Sequence, residues 1–320
     1  MKKYFIFPVV IFILQSTASF ASVDLSIGGT AWYAWWKPAW SDAKTTSFLF
    51  PGMPILFKEN SRDFKMTSNA MAGPVLSIGF LDRWSVQSVF AIGRFKAYSR
   101  GMADSMMLTV LGGMTANLSY KKYSRDILKW DSDTSISCAV HRMVKVFAGF
   151  KAQGYRYDER LDDLNYNFSG NLSIIHRVLT DDVKAYGGGL GLGITIPLGA
   201  GFYLMTNVSG LALWSVEKIN MNYRKSCVIF DTVELLPVWL RKGRYFSYGG
   251  SAALSFAYHI EKISTTISLG GRYQILFNRQ RYNNVFYNDV AMNIIDGKYD
   301  HFFGITMSAM YTFHIGKSEG

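Results

Sequence analysis

Charge is scarce in this chain: Asp, Glu, Lys and Arg make up 18% of its 320 residues, where soluble domains carry about a quarter. A water-soluble fold coats its exterior with charge, so the shortage points to a surface built for another solvent. Cysteine is scarcer still. Cys138 and Cys227 are the only two, which excludes a disulfide framework. Beyond residue 21 no apolar run reaches the roughly 20 residues that a membrane-crossing helix needs, because glycine, proline or charge interrupts every candidate. There is no Gly-x-Ser-x-Gly elbow, and the five histidines match no metal-binding spacing. These absences set aside helical membrane proteins, stapled secreted scaffolds, serine hydrolases and metal sites, and no cofactor is expected.

What is present is aromatic and glycine-rich, with 16% Phe, Trp and Tyr and 29 glycines. The chain opens with Lys2 and Lys3, continues through an apolar stretch from Tyr4 to Leu14, and turns small and polar from Gln15 to Ala21. That is the layout of a secretory signal peptide. Ser19 and Ala21 satisfy the small-residue rule, so cleavage is expected between Ala21 and Ser22. Residues 1–21 are then a leader and 22–320 one domain. The formal charge of +11 falls when Lys2 and Lys3 leave. The remaining basic residues are scattered, not gathered on one run, so nucleic acid is not expected as a partner.

The mature chain alternates with a period of two, segment after segment, and the segments end in turn residues. Tyr186, Leu190, Leu192, Ile194 and Ile196 face one way, and Ala185, Gly187, Gly189, Gly191, Gly193 and Thr195 the other. Phe303, Ile305, Met307, Ala309, Tyr311 and Phe313 repeat the pattern opposite smaller neighbours. Read this way, the chain gives ten strands, at roughly 23–36, 69–81, 84–97, 131–141, 143–157, 184–197, 202–215, 245–258, 263–277 and 300–315. Tight turns fall near Asp82-Arg83, His141-Arg142, Leu198 to Gly201 and Glu261-Lys262, and alternate with connections of about 20 to 30 residues. Cys138 and Cys227 then lie at opposite ends and are both expected as free thiols. The segment from Ser105 to Tyr120 either extends a hairpin or adds a pair, which makes twelve strands the alternative count.

Short turns at one end and long connections at the other describe an all-β, single-domain, antiparallel up-and-down transmembrane barrel. Trp32, Tyr33, Trp35, Trp36 and Trp40, with Tyr155, Tyr157, Trp214, Tyr245, Tyr248 and Phe277, fall near strand ends, where interfacial belts are expected. Near the C-terminus the string AMYTFHIG resembles the aromatic-ended last strand that barrel assembly machinery recognises, although seven residues follow Phe313. In pattern and layout the whole mature chain resembles the outer-membrane β-barrel proteins of Gram-negative bacteria. The resemblance implies a place in the outer membrane with both termini in the periplasm, and partnership with outer-membrane lipid, lipopolysaccharide and the assembly machinery.

Inward positions carry whatever the lumen does. Many are small, which leaves space, while Lys145, Lys151 and Gln153 on the fifth strand and Arg272 and Gln274 on the ninth are long and polar. Two readings follow. In one, these residues line a narrow, porin-like path in which the cations favour small anionic solutes. In the other, side chains fill the interior and the cations pair with inward carboxylates such as Asp24 and Asp133, leaving a closed barrel that serves as a surface binding, adhesion or structural protein. Permeation is the expected role, and an enzyme is not expected. Asp131-Ser132-Asp133 with Asp300-His301 is slightly similar to the aspartate and histidine set of omptin proteases, but Asp300 and His301 are adjacent where that family separates the pair by one residue. Proteolysis is therefore a minor alternative. The third connection is acidic, with Asp162, Asp163, Asp181 and Asp182, and the fourth basic, with Arg224, Lys225, Arg241, Lys242 and Arg244.

Overall fold

The computed structural model describes residues 23–38, 44–49, 65–81, 83–108, 114–167, 172–227, 232–279, 282–287, 290–295 and 299–315. The leader, its junction at Ala21 and Ser22, and Trp40 lie outside them. Ten strands close into one antiparallel ring: β1 (Val23–Lys37), β4 (Asn69–Phe80), β5 (Trp84–Leu108), β6 (Met114–His141), β7 (Val144–Asn167), β8 (Leu172–Gly199), β9 (Phe202–Cys227), β10 (Thr232–Ile260), β11 (Thr265–Arg279) and β14 (Tyr299–Ile315). Closure comes where β1 meets β14, from Val23 opposite Ile315 to Lys37 opposite His301. The short β3 (Lys65–Met66) continues the line of β4 along β5. Three further strands, β2 (Lys44–Leu49), β12 (Tyr282–Tyr287) and β13 (Val290–Ile295), pair into a separate small sheet. The count of ten stands. Residues 105–108 prolong β5 and 114–120 prolong β6, pairing with each other from Ser105 opposite Asn117 to Leu108 opposite Met114, so they extend a hairpin and add no pair to the ring.

Because successive side chains on a strand point to opposite faces, the sequence alternation sorts residues between lumen and exterior. Leu190 on β8 is 72% exposed and Phe256 on β10 59% exposed, while the inward Leu213 of β9 is fully buried. Apolar surface in that quantity, continuous around a ring, is a face for lipid. Polar outward side chains within the band satisfy each other: Ser88 and Thr134 share a hydrogen bond of 2.9 Å. Two aromatic girdles bound the band. At the turn end Phe202 stacks on Tyr258 at 4.5 Å and Tyr311 meets Phe313 edge-on at 4.6 Å. At the other end Trp35 stacks on Phe303 at 5.4 Å, and Tyr248, Phe277 and Tyr299 form a chain of ring contacts.

The girdle expected from the sequence is partly corrected. Tyr33, Trp35, Trp214, Tyr248 and Phe277 face outward, whereas Trp32, Trp36, Tyr155, Tyr157 and Tyr245 sit at inward parity and are buried. Their ring pattern belongs to the interior.

The turn end is tight. The β8–β9 turn holds Gly199, Ala200 and Gly201 at φ of 94°, 48° and 80°, and a Cβ on Gly201 would stand 2.7 Å from the carbonyl of His259. Only glycine meets both demands. Arg142 and Met143 turn β6 into β7, and a single 3-10 turn over Glu261–Ile263 joins β10 to β11. The opposite end is different from expectation. A barrel strand crosses a bilayer in about 9–11 residues, yet β5 to β10 run for 24 to 29 residues each. Most of what the sequence suggested as long loops is therefore paired strand, because alternation of charged and apolar residues above the membrane is harder to distinguish from loop than alternation within it. The strands β1, β4, β11 and β14 are short, at 12 to 17 residues. Six tall strands thus form a one-sided wall beyond the girdle. Cys138 lies at the turn end of β6 as a free thiol, and Cys227 ends β9 at the far end.

Candidate functional site

All six interior residues expected from the sequence stand at inward parity, distributed over two zones. Asp24 and Lys145 belong to the turn end. The Asp24 carboxylate lies 2.7 Å from Nδ1 of His314, across the β1–β14 seam. Above them opens a polar vestibule of about 190 Å³ lined by Ser85, Gln87, Ser135, Ser137, Lys145, Asn207, Ser209 and Ser251. It shares Ser85, Ser137 and Lys145 with a second cavity of about 280 Å³ at the barrel mouth.

Asp133 and Arg272 border the vestibule's inner end, where the second zone begins. Lys151 donates to both oxygens of Asp131 at 2.8 Å and lies 3.9 Å from Asp133. Arg272 donates to Asp133 at 3.1 Å and covers the face of Trp32 at 5.0 Å. Gln274 donates to Gln153 at 3.0 Å across the barrel. One step further from the turn end, Lys129 stands 4.4 Å over the ring of Trp36 and 5.3 Å from that of Phe302, and the Trp36 indole donates to Asp300 at 2.8 Å. Three cations, Lys129, Lys151 and Arg272, thus share a layer with three carboxylates, Asp131, Asp133 and Asp300. A buried charge is tolerated when it is paired and hydrogen-bonded; Lys151, 1% exposed, with Asp131, 3% exposed, and Arg272 with Asp133 meet that condition, while Lys129, 3% exposed, lies over the ring faces of Trp36 and Phe302.

An aromatic layer follows. Trp36 contacts Phe95 at 5.7 Å and Tyr155 at 5.1 Å, and Tyr155 stacks on Tyr157 at 6.1 Å. Beyond it, Arg125 is hydrogen-bonded to Glu159 through Nε at 2.6 Å and lies 4.5 Å over Tyr157; Asp181 on β8 and Glu217 on β9 are buried as well.

The expectation that small lining residues leave room holds at the vestibule, beside Ser209, Ser251 and Ala253, and is corrected on β8. The glycine stripe of β8 is overlain by its neighbours: a Cβ on Gly191 would collide with the Phe147 ring, and one on Gly193 would stand 2.9 Å from Cγ of Lys145 and 2.5 Å from Oδ1 of Asn207. Glycine is there so that side chains from β7 and β9 can lie across it. Lys151, Gln153, Arg272 and Gln274 are packed against partners and do not border open space over most of their surface. Of the omptin-like set, Asp131, Asp133 and Asp300 share the ionic layer, but His301 does not join them. Asp131 and Asp133 hold Lys151 and Arg272, Asp300 accepts from Trp36, and His301 faces outward beside the hydroxyl of Tyr273 at 2.8 Å. Among the described residues, no cluster of three or more metal-ligating side chains occurs.

Sequence reasoning missed Lys129, Arg125 and Glu159. The signal was available: on β6, inward parity continues without a break from Asp133 through Asp131, Lys129 and Ile127 to Arg125, and β7 carries it from Gln153 to Glu159.

No protein-family model and no curated protein sequence matches the chain. Solved structures resemble it. The outer membrane protease OmpT from Escherichia coli aligns over 91% of this chain and 96% of its own, at 11% identity and a TM-score of 0.42. The Pseudomonas putida toluene transporter TodX aligns over 90% and 89%, at 8% identity and a TM-score of 0.24. A Pseudomonas aeruginosa FadL homologue covers 91% and 90%, at 9% identity and a TM-score of 0.19. At these TM-scores and identities the resemblances carry no activity across to the chain.

Proposed function

We propose that the protein is an occluded outer-membrane barrel whose work is done by its projecting wall, as a surface binding, adhesion or structural protein. The observation that supports this over the porin-like reading is the pair of packed layers, ionic then aromatic, that cross the lumen between the turn-end vestibule and the tall strands. A solute path along Lys145, Lys151, Arg272 and Gln274 would have to break the Lys151–Asp131 pair and displace Trp36 from between Phe95 and Tyr155. In a barrel of this size side chains can fill the interior, and the Lys151–Asp131 and Arg272–Asp133 pairs support that reading.

On this reading residues 1–21 direct export and are removed after Ala21, the short turns and both termini face the periplasm, and β5 to β10 rise from the outer leaflet. The wall they form is rigid backbone-paired sheet, a suitable scaffold for recognition by its connecting tips. Small solutes then have no passage, and binding replaces permeation as the expected activity.

An epitope inserted between Leu108 and Met114, at the far end of the β5–β6 hairpin, should be stained by antibody on intact cells, while one placed after Ile315 should be stained only after the outer membrane is permeabilised. Staining of the second alone on intact cells would refute the orientation.

A further inference from the structure

The vestibule at the turn end is a cup with a floor. Its lining on β6 runs from Ser137 beside the mouth to Asp133 at the inner end, four positions or roughly 13 Å of strand. There the Lys151–Asp131 and Arg272–Asp133 pairs close it, so whatever enters from the turn end must leave by the turn end. Its volume of about 190 Å³ equals that of about six liquid waters. Pockets for drug-sized ligands run to roughly 300–1,000 Å³, so this one suits a solute no larger than a single sugar.

The lining sets the chemistry of that solute. Ligand pockets are mostly apolar and aromatic, whereas this wall carries hydroxyls from Ser135, Ser209 and Ser251 and amides from Gln87 and Asn207. Each amide both donates and accepts, and neither forms a side-chain hydrogen bond among the described residues. A wall of this kind is complementary to a ligand bearing many hydroxyls.

Charge narrows the class further. Lys145 makes no ion pair among the described residues. The acid that shares the mouth with it, Asp24, is hydrogen-bonded with His314 at 2.7 Å, and the acid at the inner end, Asp133, accepts from Arg272 at 3.1 Å. Lys145 and Arg272 against Asp133 therefore leave one positive charge in the vestibule. That charge stands beside an amide: Cε of Lys145 and Oδ1 of Asn207 would each lie 2.5 Å from a Cβ on Gly193. One ammonium among hydroxyls and amides complements one carboxylate, and a doubly charged phosphate would be left half neutralised.

We propose that the vestibule binds a hydroxylated monocarboxylate of the six-carbon sugar-acid class, with the carboxylate on Nζ of Lys145 and the hydroxyls on Gln87, Asn207 and the serines. This goes beyond the role proposed for the wall. It takes from that reading only the packed layers that form the floor, and a conducting lumen would remove the floor without bearing on whether the acid binds.

The test is isothermal titration calorimetry of full-length refolded barrel in zwitterionic detergent. The probes are glucuronate, galacturonate and gluconate, beside glucose, acetate and glucose 6-phosphate. Wild type is compared with Lys145→Met, Lys145→Gln and Asn207→Leu, and with Lys262→Ala, which removes a turn-end cation outside the cavity; heat-modifiable mobility confirms that each variant folds. At least one sugar acid should saturate wild type at one per barrel, with glucose and acetate each about tenfold weaker or more. The Lys145 variants should lose about tenfold for that acid and keep the wild-type affinity for glucose, Asn207→Leu should lose about threefold or more, and Lys262→Ala should bind as wild type does. Silence from all three acids would overturn the proposal, as would undiminished binding by a folded Lys145 variant or tighter binding of glucose 6-phosphate than of any acid.

Discussion

Lys151→Ala should lower the unfolding free energy by about 3–5 kcal/mol, because it leaves Asp131 buried without its counter-ion. The pair is set deep in the ionic layer, with both groups at 3% exposure or less and both carboxylate oxygens taken up by one ammonium at 2.8 Å. Removing both charges together is a different perturbation. A Lys151→Met/Asp131→Leu variant deletes the desolvation cost along with the attraction, and it should recover most of the loss. Arg272 and Asp133 remain as a pair at 3.1 Å in that variant. The measurement is equilibrium unfolding in guanidinium followed by tryptophan fluorescence, with the barrel folded into lipid vesicles. If the double variant is no more stable than Lys151→Ala, the pair is not the organising element of its layer.

The second large effect separates two adjacent tryptophans. Trp36→Ala should cost about 3–5 kcal/mol, the loss typical of a large aromatic removed from a packed interior. It takes away the ring that lies between Phe95 and Tyr155, the donor to Asp300 and the face beneath Lys129. Trp35→Ala should cost roughly 1–2 kcal/mol, because that ring is 41% exposed on the lipid side and gives up its stack on Phe303 and edge contact with Tyr33. Equal losses in the same unfolding assay would mean that the inward and outward parity of β1 is misassigned.

Much of this architecture can be read from the sequence, and the parts that cannot fail for physical reasons. Within the lipid band the outer face must be apolar, so alternation is strong and the ten staves are legible, as are the turns, marked by glycine at Gly199 and Gly201. Beyond the girdle both faces of a strand meet water, and the alternation weakens. That is why residues such as 114–130 and 172–183 look like loop and prove to be β6 and β8. The interior divides in the same way. Inward parity identifies Lys151, Gln153, Arg272 and Gln274 directly, because a long polar side chain between apolar neighbours is conspicuous. Partnership is not in the parity. Arg272 meets Asp133 across 139 positions of chain, and Gln274 meets Gln153 across 121; only closure of the ring brings them together. Glycine misled the reading most. A bare position on β8 suggests a gap, but it is also what lets Phe147 or Lys145 lie flat across the strand, and the choice between the two depends on side chains of the adjoining strands, which lie far away in the sequence or in an unknown register.

The most direct test of the central claim, an occluded lumen, is single-channel recording of refolded, heat-modifiable wild-type barrel in planar bilayers, beside Lys145→Glu/Arg272→Glu. The account predicts a baseline without conductance steps from wild type, since the ionic and aromatic layers leave ions no continuous water path. Reproducible steps with anion preference, weakened or reversed in the double variant, would contradict it and restore a basic-lined pore.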